Sequence, residues 1–387
     1  MSIQRTHRAR LLLLTVCVLV AVGCRSDGTT AARDDNGSQV AATTTTLPPP
    51  PPPKRFTLTA SGDVLIHEGL AIRASRNAGG GGNASGGPYD FKPMFEKIRP
   101  VISAADLSIC HMEVPISARN RDLAYYPRFH VPREVAEGIA YAGFDMCTTA
   151  SNHAIDKGTE ALFGTLDVLD ANKLGHSGTG RTPEETKRPA TYNLNGLDVA
   201  VLSYTFSLNG LKPPAGQEWV VNMIDPDRIL SDAQAAKAAG AEFVTVNLHW
   251  GTEYDSNPNE QQKRVAQQLL STPHVDLLLG HHTHVVQPIT KVGEKFAVYG
   301  MGNFISRQNS SCCPAPTQDG LTVHFVIEEI PGGAAVTQLT YTPTWVEQQG
   351  LTVLSVAQAL DDPATPRAYI DGLRTSWRRT TTAVNAL

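Results

Sequence analysis

Five short polar segments, each set directly after an apolar, strand-like run, constrain this chain more than any other feature. They are Gly62-Asp63, His111-Met112-Glu113, Ser151-Asn152-His153, His249-Trp250-Gly251 and Gly280-His281-His282-Thr283-His284. The runs before them (Phe56 to Ala60, Leu107 to Met112, Asp145 to Ala150, Glu242 to Leu248, Val275 to Leu279) read as strands. Between them lie stretches that predict helices: Pro93 to Ser103, Arg133 to Tyr141, Gly158 to Asn172, Ala233 to Ala239 and Glu260 to Leu270. Helices alternating with short apolar strands make the class α/β. Leu194-Asn195-Gly196-Leu197 is a hairpin signal. After Ile305 the pattern is mostly strands (Leu321 to Ile330, Ala335 to Thr342) with a late helix near Val356, so the sheets are mixed. In open α/β sheets, sites gather beyond the carboxyl ends of strands, which is where these five segments fall.

Together the segments offer two carboxylates, one carboxamide and several imidazoles. That mixture suits Mn, Fe or Zn; Ca and Mg prefer all-oxygen shells. In an extended chain, residues i and i+2 point the same way. His282 and His284 are therefore expected to present two imidazoles to one side, one per metal, and His111 and Glu113 to share a face. Glu113 is the candidate bridge between two cations. Two metals ~3.5–4 Å apart activate water and clamp the oxygens of an in-line phosphoryl displacement. Taken singly each segment is commonplace, since Gly-Asp is usually a turn and a lone His after a strand is usually structural. The five in this order carry the metal-site reading.

The chain resembles the CapA (poly-γ-glutamate capsule synthesis) family, a branch of the calcineurin-like metallophosphoesterase superfamily. The stretches that carry the resemblance are Ser61-Gly62-Asp63-Val64, Leu107 to Pro115, Ser151 to Asp156, His249 to Tyr254, Gly280 to Gln287 and Gly302-Asn303-Phe304-Ile305. The resemblance implies a four-layer α/β/β/α sandwich of the metallophosphoesterase type, with two metals at the strand ends. Carried over, Asp63 and His284 bind one metal, Glu113 bridges, and Asn152, His249 and His282 bind the second. His153 protonates the leaving oxygen or steadies the phosphate, and Asp156 orients His153 or finishes the turn. The superfamily places a His two residues after the first Asp; here that position is Leu65, and His67 is the candidate substitute. His111 stands where the family commonly has Asn, as an added ligand or a supporting donor. Glu253 either orients a metal-bound His or is a surface acid.

The start of the chain has a different character. Arg5, His7, Arg8 and Arg10 precede an apolar stretch, Leu11 to Val22. That stretch is too short to span a bilayer, which takes ~20 residues, and it matches the apolar region of a secretory leader. Ala21-Val22-Gly23-Cys24 resembles a bacterial lipobox, with Cys24 as the lipidated residue. Thr43 to Thr46 and Pro48 to Pro53 follow; such a segment buries too little apolar surface to fold and serves as a spacer. The expected organisation is a leader (1–23), a lipidated Cys and tether (24–55), a CapA-like domain (56–305), and strands and a helix completing that domain (306–387). Three of the 33 basic residues lie in the leader, leaving 30 against 37 acidic ones. That balance offers no footprint for nucleic acid, which wants a clustered basic face.

The expected function is that of an extracytoplasmic lipoprotein acting in synthesis, export or processing of an anionic cell-surface polymer, poly-γ-glutamate being the family's namesake. Metal-assisted hydrolysis or transfer at a phosphoester or amide is the expected chemistry, with membrane-bound polymer synthesis or export proteins as candidate partners. The rivals are a non-catalytic polymer-binding accessory and a phosphoesterase acting on a lipid or nucleotide. Export also permits disulfides. Cys110 and Cys147 precede two motifs that must converge, so their strands should be neighbours ~4.8 Å apart, close to the ~5.5 Å Cα separation of a disulfide. The alternatives are two buried thiols, a vicinal Cys312–Cys313 bridge, or one of that pair competing for Cys110.

Overall fold

The computed structural model describes residues 52–386. The leader, Cys24 and most of the Thr/Pro tether lie outside the described residues. Numbered in chain order, the strands are β1 (Arg55–Val64), β2 (Leu107–Met112), β3 (Ile116–Ser117), β4 (Val131–Pro132), β5 (Met146–Thr148), β6 (Gly175–Ser177), β7 (Ala190–Leu194) and β8 (Leu197–Thr205). There follow β9 (Phe243–His249), β10 (Leu277–His281), β11 (Ile289–Val292), β12 (Lys295–Val298), β13 (Asn303–Ile305), β14 (Asp319–Ile330), β15 (Gly333–Val346) and β16 (Val353–Ser355). One sheet runs β16-β15-β14-β1-β2-β5-β6 with β13 beside β1, and the other runs β11-β12-β10-β9-β8-β7. Each mixes parallel and antiparallel pairs.

Strand alternation divides the apolar residues among three cores. Phe56, Leu58, Ala60, Leu107 and Ile109 of the first sheet face Leu197, Val199, Val201, Phe243, Leu277 and Leu279 of the second. The intervening Cys110 and Met112 pack instead under Leu70 and Ala71 of the helix Glu68–Asn77 and Val135 and Ile139 of the helix Glu134–Ala142. Beyond the second sheet, Leu202, Val244, Val246 and Leu248 meet Ile229 and Ala233 of the helix Pro226–Ala238 and Val265 and Leu269 of the helix Glu260–Leu270. Three cores separate four layers, α/β/β/α. Each fully buried Leu, Val or Phe contributes ~1.5–3 kcal/mol, so this double-sided burial holds both sheets' carboxyl edges in place.

Residues after Ile305 build the first sheet's antiparallel part. β14 pairs along β1 from Arg55↔Glu328 to Ser61↔Thr322. The helix Arg367–Val384 is tied to it through Arg379, whose Nε lies 2.6 Å from Asp319 Oδ2. Cys110 and Cys147 are register partners on β2 and β5, with Cα atoms 4.4 Å apart, and they form a disulfide. Cys312 and Cys313 are free thiols, so the vicinal bridge and the competing pairing are not formed.

Two helices differ from expectation. The predicted Pro93–Ser103 helix is two short pieces, Lys92–Phe95 and Arg99–Ile102. Pro100 is the cause: inside a helix it has no N–H to give and clashes one turn back, so the chain restarts with it in the first turn. The C-terminal helix spans 18 residues, beyond the single late helix expected. Its buried stripe is Leu373, Ser376, Thr380 and Val384, half polar, which leaves little apolar periodicity to read. The hairpin forms as predicted, with Asn195 at φ 54° and Gly196 at φ 85°, the pair of left-handed residues that a tight hairpin turn requires.

Candidate metal centre

The alternation that builds the inter-sheet core also aims the candidate ligands. On β2 the inward series is Leu107, Ile109, His111; on β10 it is Leu277, Leu279, His281; on β9 it begins at Phe243 and ends at His249. His281 and His249 are register partners. Each series therefore ends in an imidazole at the carboxyl edge. On β1 the same count would place Gly62 inward. A bulge corrects this: Ala60 pairs with Ile109, yet Asp63 pairs with His111. One extra residue re-aims the side chain, turning Asp63 into the cluster. Only glycine fits at position 62, because a Cβ there would overlap the Gly302 carbonyl.

The donors converge in a buried cluster. Asp63, Glu113, Asn152, His249, His282 and His284 are all buried, none above 4% exposed. Among the described residues, two donor sets have ligand atoms within 4.8 Å of one another: Asp63, Glu113 and His284, and Asp63, His111 and His281. Asp63 Oδ2 lies 3.2 Å from His284 Nδ1, and Glu113 Oε1 lies 3.7 Å from His284 Nε2. On the other side, His249 Nε2 stands 2.8 Å from Asn152 Oδ1, and the His282 ring lies 4.7 Å from that of His249. Two donors held at right angles on one ion by ~2.1 Å bonds stand ~3.0 Å apart, close to the 2.8 Å between His249 Nε2 and Asn152 Oδ1. Both Glu113 oxygens and His282 Nδ1 are buried without a hydrogen-bond partner. Such atoms are costly, and a cation supplies what they lack. The residues present fit divalent ions bound by mixed oxygen and nitrogen donors.

The set containing His111 and His281 is of another kind. These two rings stack, with centroids 4.1 Å apart and planes 19° from parallel. An imidazole lone pair lies in its ring plane, so stacked rings direct their lone pairs side by side rather than at one point. Both His111 nitrogens are also engaged, with Thr148 Oγ1 and His249 Nδ1, each at 2.9 Å.

His282 and His284 do not converge by extended alternation as expected. They lie in a bend with φ 91° and 55°, a left-handed backbone that non-glycine residues rarely adopt outside functional sites. Asn303, which is held beside Asp63 by β1–β13 pairing, lies 3.0 Å from His284 Nδ1 through its Oδ1. That contact fixes the ring with Nε2 toward Glu113.

Burial sets the electrostatics. It pushes Glu113 up to about 8, with His284 pulling against it and the Asp63 charge adding to it. Burial also acts to raise Asp63, but its hydrogen bonds to His281 and His284 outweigh that and hold it well below the usual carboxylate range. His284 is pushed up to about 9, because the Glu113 and Asp63 charges outweigh burial. His111 and His249 are held well below 6.5 by burial and by neighbouring imidazoles. His282 is held down to about 3 by burial and the His284 charge.

His153 sits at the cluster's outer side. Its Nδ1 lies 2.7 Å from Asp156 Oδ2, which also accepts the Phe129 N–H at 2.8 Å, and Phe129 packs edge-on against its ring. Burial lowers His153, but the Asp156 hydrogen bond and the Glu113 charge win and leave it raised. His67 caps the helix Glu68–Asn77 beside Phe129 and belongs to neither donor set; its Nδ1 accepts the Arg307 N–H at 3.4 Å. Glu253 is exposed, and its charge helps raise His284 and Tyr254. Sequence reasoning gave His281 and Thr148 no role of their own and read Asn303 and Asn209 as turn residues; Asn209 Oδ1 accepts from Asn152 Nδ2 at 3.2 Å. Strand parity against His249 was the signal for His281; a late strand end after glycine was the signal for Asn303.

The resemblance to known proteins follows the same residues. The chain is 28% identical over 219 residues to "PGA biosynthesis protein CapA" of Bacillus subtilis, covering 56% of this chain and 57% of that one. It is 26% identical over 265 residues to "Capsule biosynthesis protein CapA" of Bacillus anthracis, covering 66% and 61%. The chain thus spans about three fifths of the length of the curated relatives it matches. Among solved structures it is similar to the calcineurin-like phosphoesterase YfkN from Bacillus subtilis, at 13% identity over 85% of this chain and 98% of that one, with a TM-score of 0.43. That likeness concerns the fold alone and is too loose to carry an argument. The sequence model of the family described as "Bacterial capsule synthesis protein PGA_cap" matches residues 57–308, from the first strand through the Asn303 segment that orients His284, and the chain belongs to that family.

Proposed function

We propose that this chain is an extracytoplasmic, Cys24-anchored protein that uses two divalent ions (Mn, Fe or Zn) in synthesis, export or processing of an anionic cell-surface polymer. Poly-γ-glutamate is the polymer class the family points to, and metal-assisted hydrolysis or transfer at a phosphoester or amide is the chemistry. The observation that carries the reading is Glu113, a fully buried carboxylate with both oxygens unpartnered among converging nitrogen and oxygen donors. Asp63, Glu113 and His284 would hold one ion, and Asn152, His249 and His282 would hold the other. When bound, the ions supply Lewis-acid polarisation of the scissile group and acidification of water.

The chain's own residues do the rest. Asp63 and Glu113 bring the negative charge that balances the ions. Asn303 keeps His284 in one tautomer. His153, raised by its hydrogen bond to Asp156, delivers a proton to the leaving oxygen or steadies the anionic group of the substrate. Partners follow from place: an anionic polymer or phosphoester at the metal centre, and membrane-bound synthesis or export proteins near the anchor. A second reading, a polymer-binding accessory without turnover, draws support from Leu65. That residue is apolar and 2% exposed at the position where the superfamily places a His.

Metal content of the purified, reconstituted protein, followed by an aryl-phosphate screen and poly-γ-glutamate cleavage, separates these readings. Bound metal with turnover that a chelator abolishes supports the hydrolase. Bound metal with polymer retention and no turnover moves the assignment to the accessory. A reconstituted protein free of metal sinks the centre altogether.

A further inference from the structure

A line of hydrogen bonds runs from the disulfide to the metal centre. Cys110 and Cys147 are register partners, and the next pair along the same two strands is His111 and Thr148. The disulfide locks the strand spacing one residue upstream. The two cysteines face the helices, so by strand alternation His111 and Thr148 face the gap between the sheets. There Thr148 Oγ1 donates to the Cys110 carbonyl at 3.4 Å and lies 2.9 Å from His111 Nδ1. His111 Nε2 lies 2.9 Å from His249 Nδ1, and His249 Nε2 lies 2.8 Å from Asn152 Oδ1. Thr148, His111 and His249 are all at most 1% exposed, so water offers no alternative partners.

Proton counting along this line fixes its direction. A hydroxyl has one hydrogen. Once Thr148 gives it to the Cys110 carbonyl, the oxygen accepts from His111 Nδ1–H. A neutral His111 then has a bare Nε2, which accepts from His249 Nδ1–H. A neutral His249 is left with a bare Nε2 facing the Asn152 carboxamide oxygen, two acceptors at 2.8 Å. That pair is repulsive unless a cation joins it. A ligating imidazole needs its other N–H held by a partner, which sets the tautomer and raises ligand basicity.

We infer that His111 and Thr148 are positioning residues that preset His249 in its metal-binding tautomer, with the Cys110–Cys147 disulfide holding them in register. This rests on the proposal that His249 and Asn152 hold an ion. His111 is a supporting donor here rather than an added ligand.

The test uses the full chain, reconstituted with Co(II) and separately with Zn(II), in four forms: wild type, His111→Ala, Thr148→Val and Thr148→Ser. Equilibrium dialysis gives the affinity for each ion, and the visible absorption of Co(II) reports the ligand field at His249. Thr148→Val keeps the shape and removes the hydroxyl, so it retains the fold even if His111→Ala does not. Thr148→Val is expected to weaken one of the two ions by about 10–100-fold and alter its Co(II) band, leaving the other ion unchanged. Thr148→Ser, which keeps the hydroxyl, is expected to restore both. Wild-type affinity and spectrum in Thr148→Val overturn the inference while leaving the metal centre standing. A wild type that binds no ion overturns both, and the two failures are read in different samples.

Discussion

Replacing Glu113 by Gln should make the metal-free protein more stable and the metal-loaded protein less so. The buried carboxyl has an ordinary pKa of 4.5 and is pushed up to about 8. The sign follows from proton binding. Between those two values the unfolded chain has lost the proton that the folded chain keeps, so stability falls as pH rises through this window. Below about 4.5 both states are protonated and the group costs nothing. At pH 7 the difference is on the order of 3 kcal/mol, growing to about 4–5 kcal/mol above pH 8. Glutamine mimics the neutral acid, with its own amide equally short of partners, so Glu113→Gln should recover most of that cost and no more. For a domain of this size about 3 kcal/mol corresponds to a rise of roughly 4 °C in Tm. The assay is thermal unfolding of chelator-stripped wild type and variant from pH 4.5 to 8.5. Taking the difference at each pH removes the groups that Glu113 does not touch; His284, which the Glu113 charge helps to raise, titrates at lower pH in the variant. The gap should be near zero at pH 4.5 and widen steadily to pH 8. Saturating metal at about 1,000 times Kd adds about 4.1 kcal/mol to a protein that binds it, which exceeds the gap at pH 7, and the order should then reverse there. A stripped variant less stable than wild type at pH 8, or a gap that does not change with pH, refutes the buried-carboxylate reasoning.

Further outcomes follow from the same geometry. His153→Ala should abolish turnover on an established substrate while metal content, read by elemental analysis, stays at the wild-type level. Asp156→Asn removes the hydrogen bond and charge that favour protonated His153, so the basic limb of the kcat profile should move to lower pH; an unmoved limb would falsify the acid assignment. Gly62→Ala should cost stability and lower metal content together, because a side chain at the bulge must displace either the Gly302 carbonyl or Asp63; unchanged metal content would show that the bulge does not aim the ligand. Cys24→Ala should shift the mature protein from the membrane fraction to the soluble one, and retention after a salt wash would point to another anchor.

The parts of this molecule that obey simple periodicity were legible in the sequence. Alternation gave β1 and short apolar runs gave β2, β9 and β10, and residues at or just past their ends are the ones that gather. The helix Glu260–Leu270 matches its predicted span because Asn259 caps it and Gln262 completes the capping box. Neighbouring strands made the Cys110–Cys147 bridge one of several open pairings, and the register of β2 against β5 selects it. What escaped depends on departures from regularity. The bulge at Gly62 and the left-handed bend at His282 and His284 are set by contacts distant in sequence, through Gly302 and Asn303, and no local pattern encodes them. Asn303 looked like a turn residue because its partner, His284, reaches it only after β13 is laid against β1.

The hydrolase and accessory readings ask different things of these residues. A surface that only holds an anionic polymer needs exposed positive charge, spread along the chain it grips. Here the donors are buried, with Asp63 and Asn303 at 0%, Glu113 and His249 at 1%, and His282 and His284 at 4%. They cannot touch a polymer themselves. Whatever they do to a substrate must pass through something they hold, and their unpartnered oxygens and nitrogens say what that is. His153 is the exception: its side chain is 12% exposed while Asp156 holds Nδ1. A group that only completed the fold would gain from full burial, and a polymer-binding group would gain from greater exposure. A proton donor must do both, keeping a buried carboxylate behind it to hold the proton and an open face toward the oxygen that will take it. The kcat profile of Asp156→Asn is the measurement that tests this role for His153.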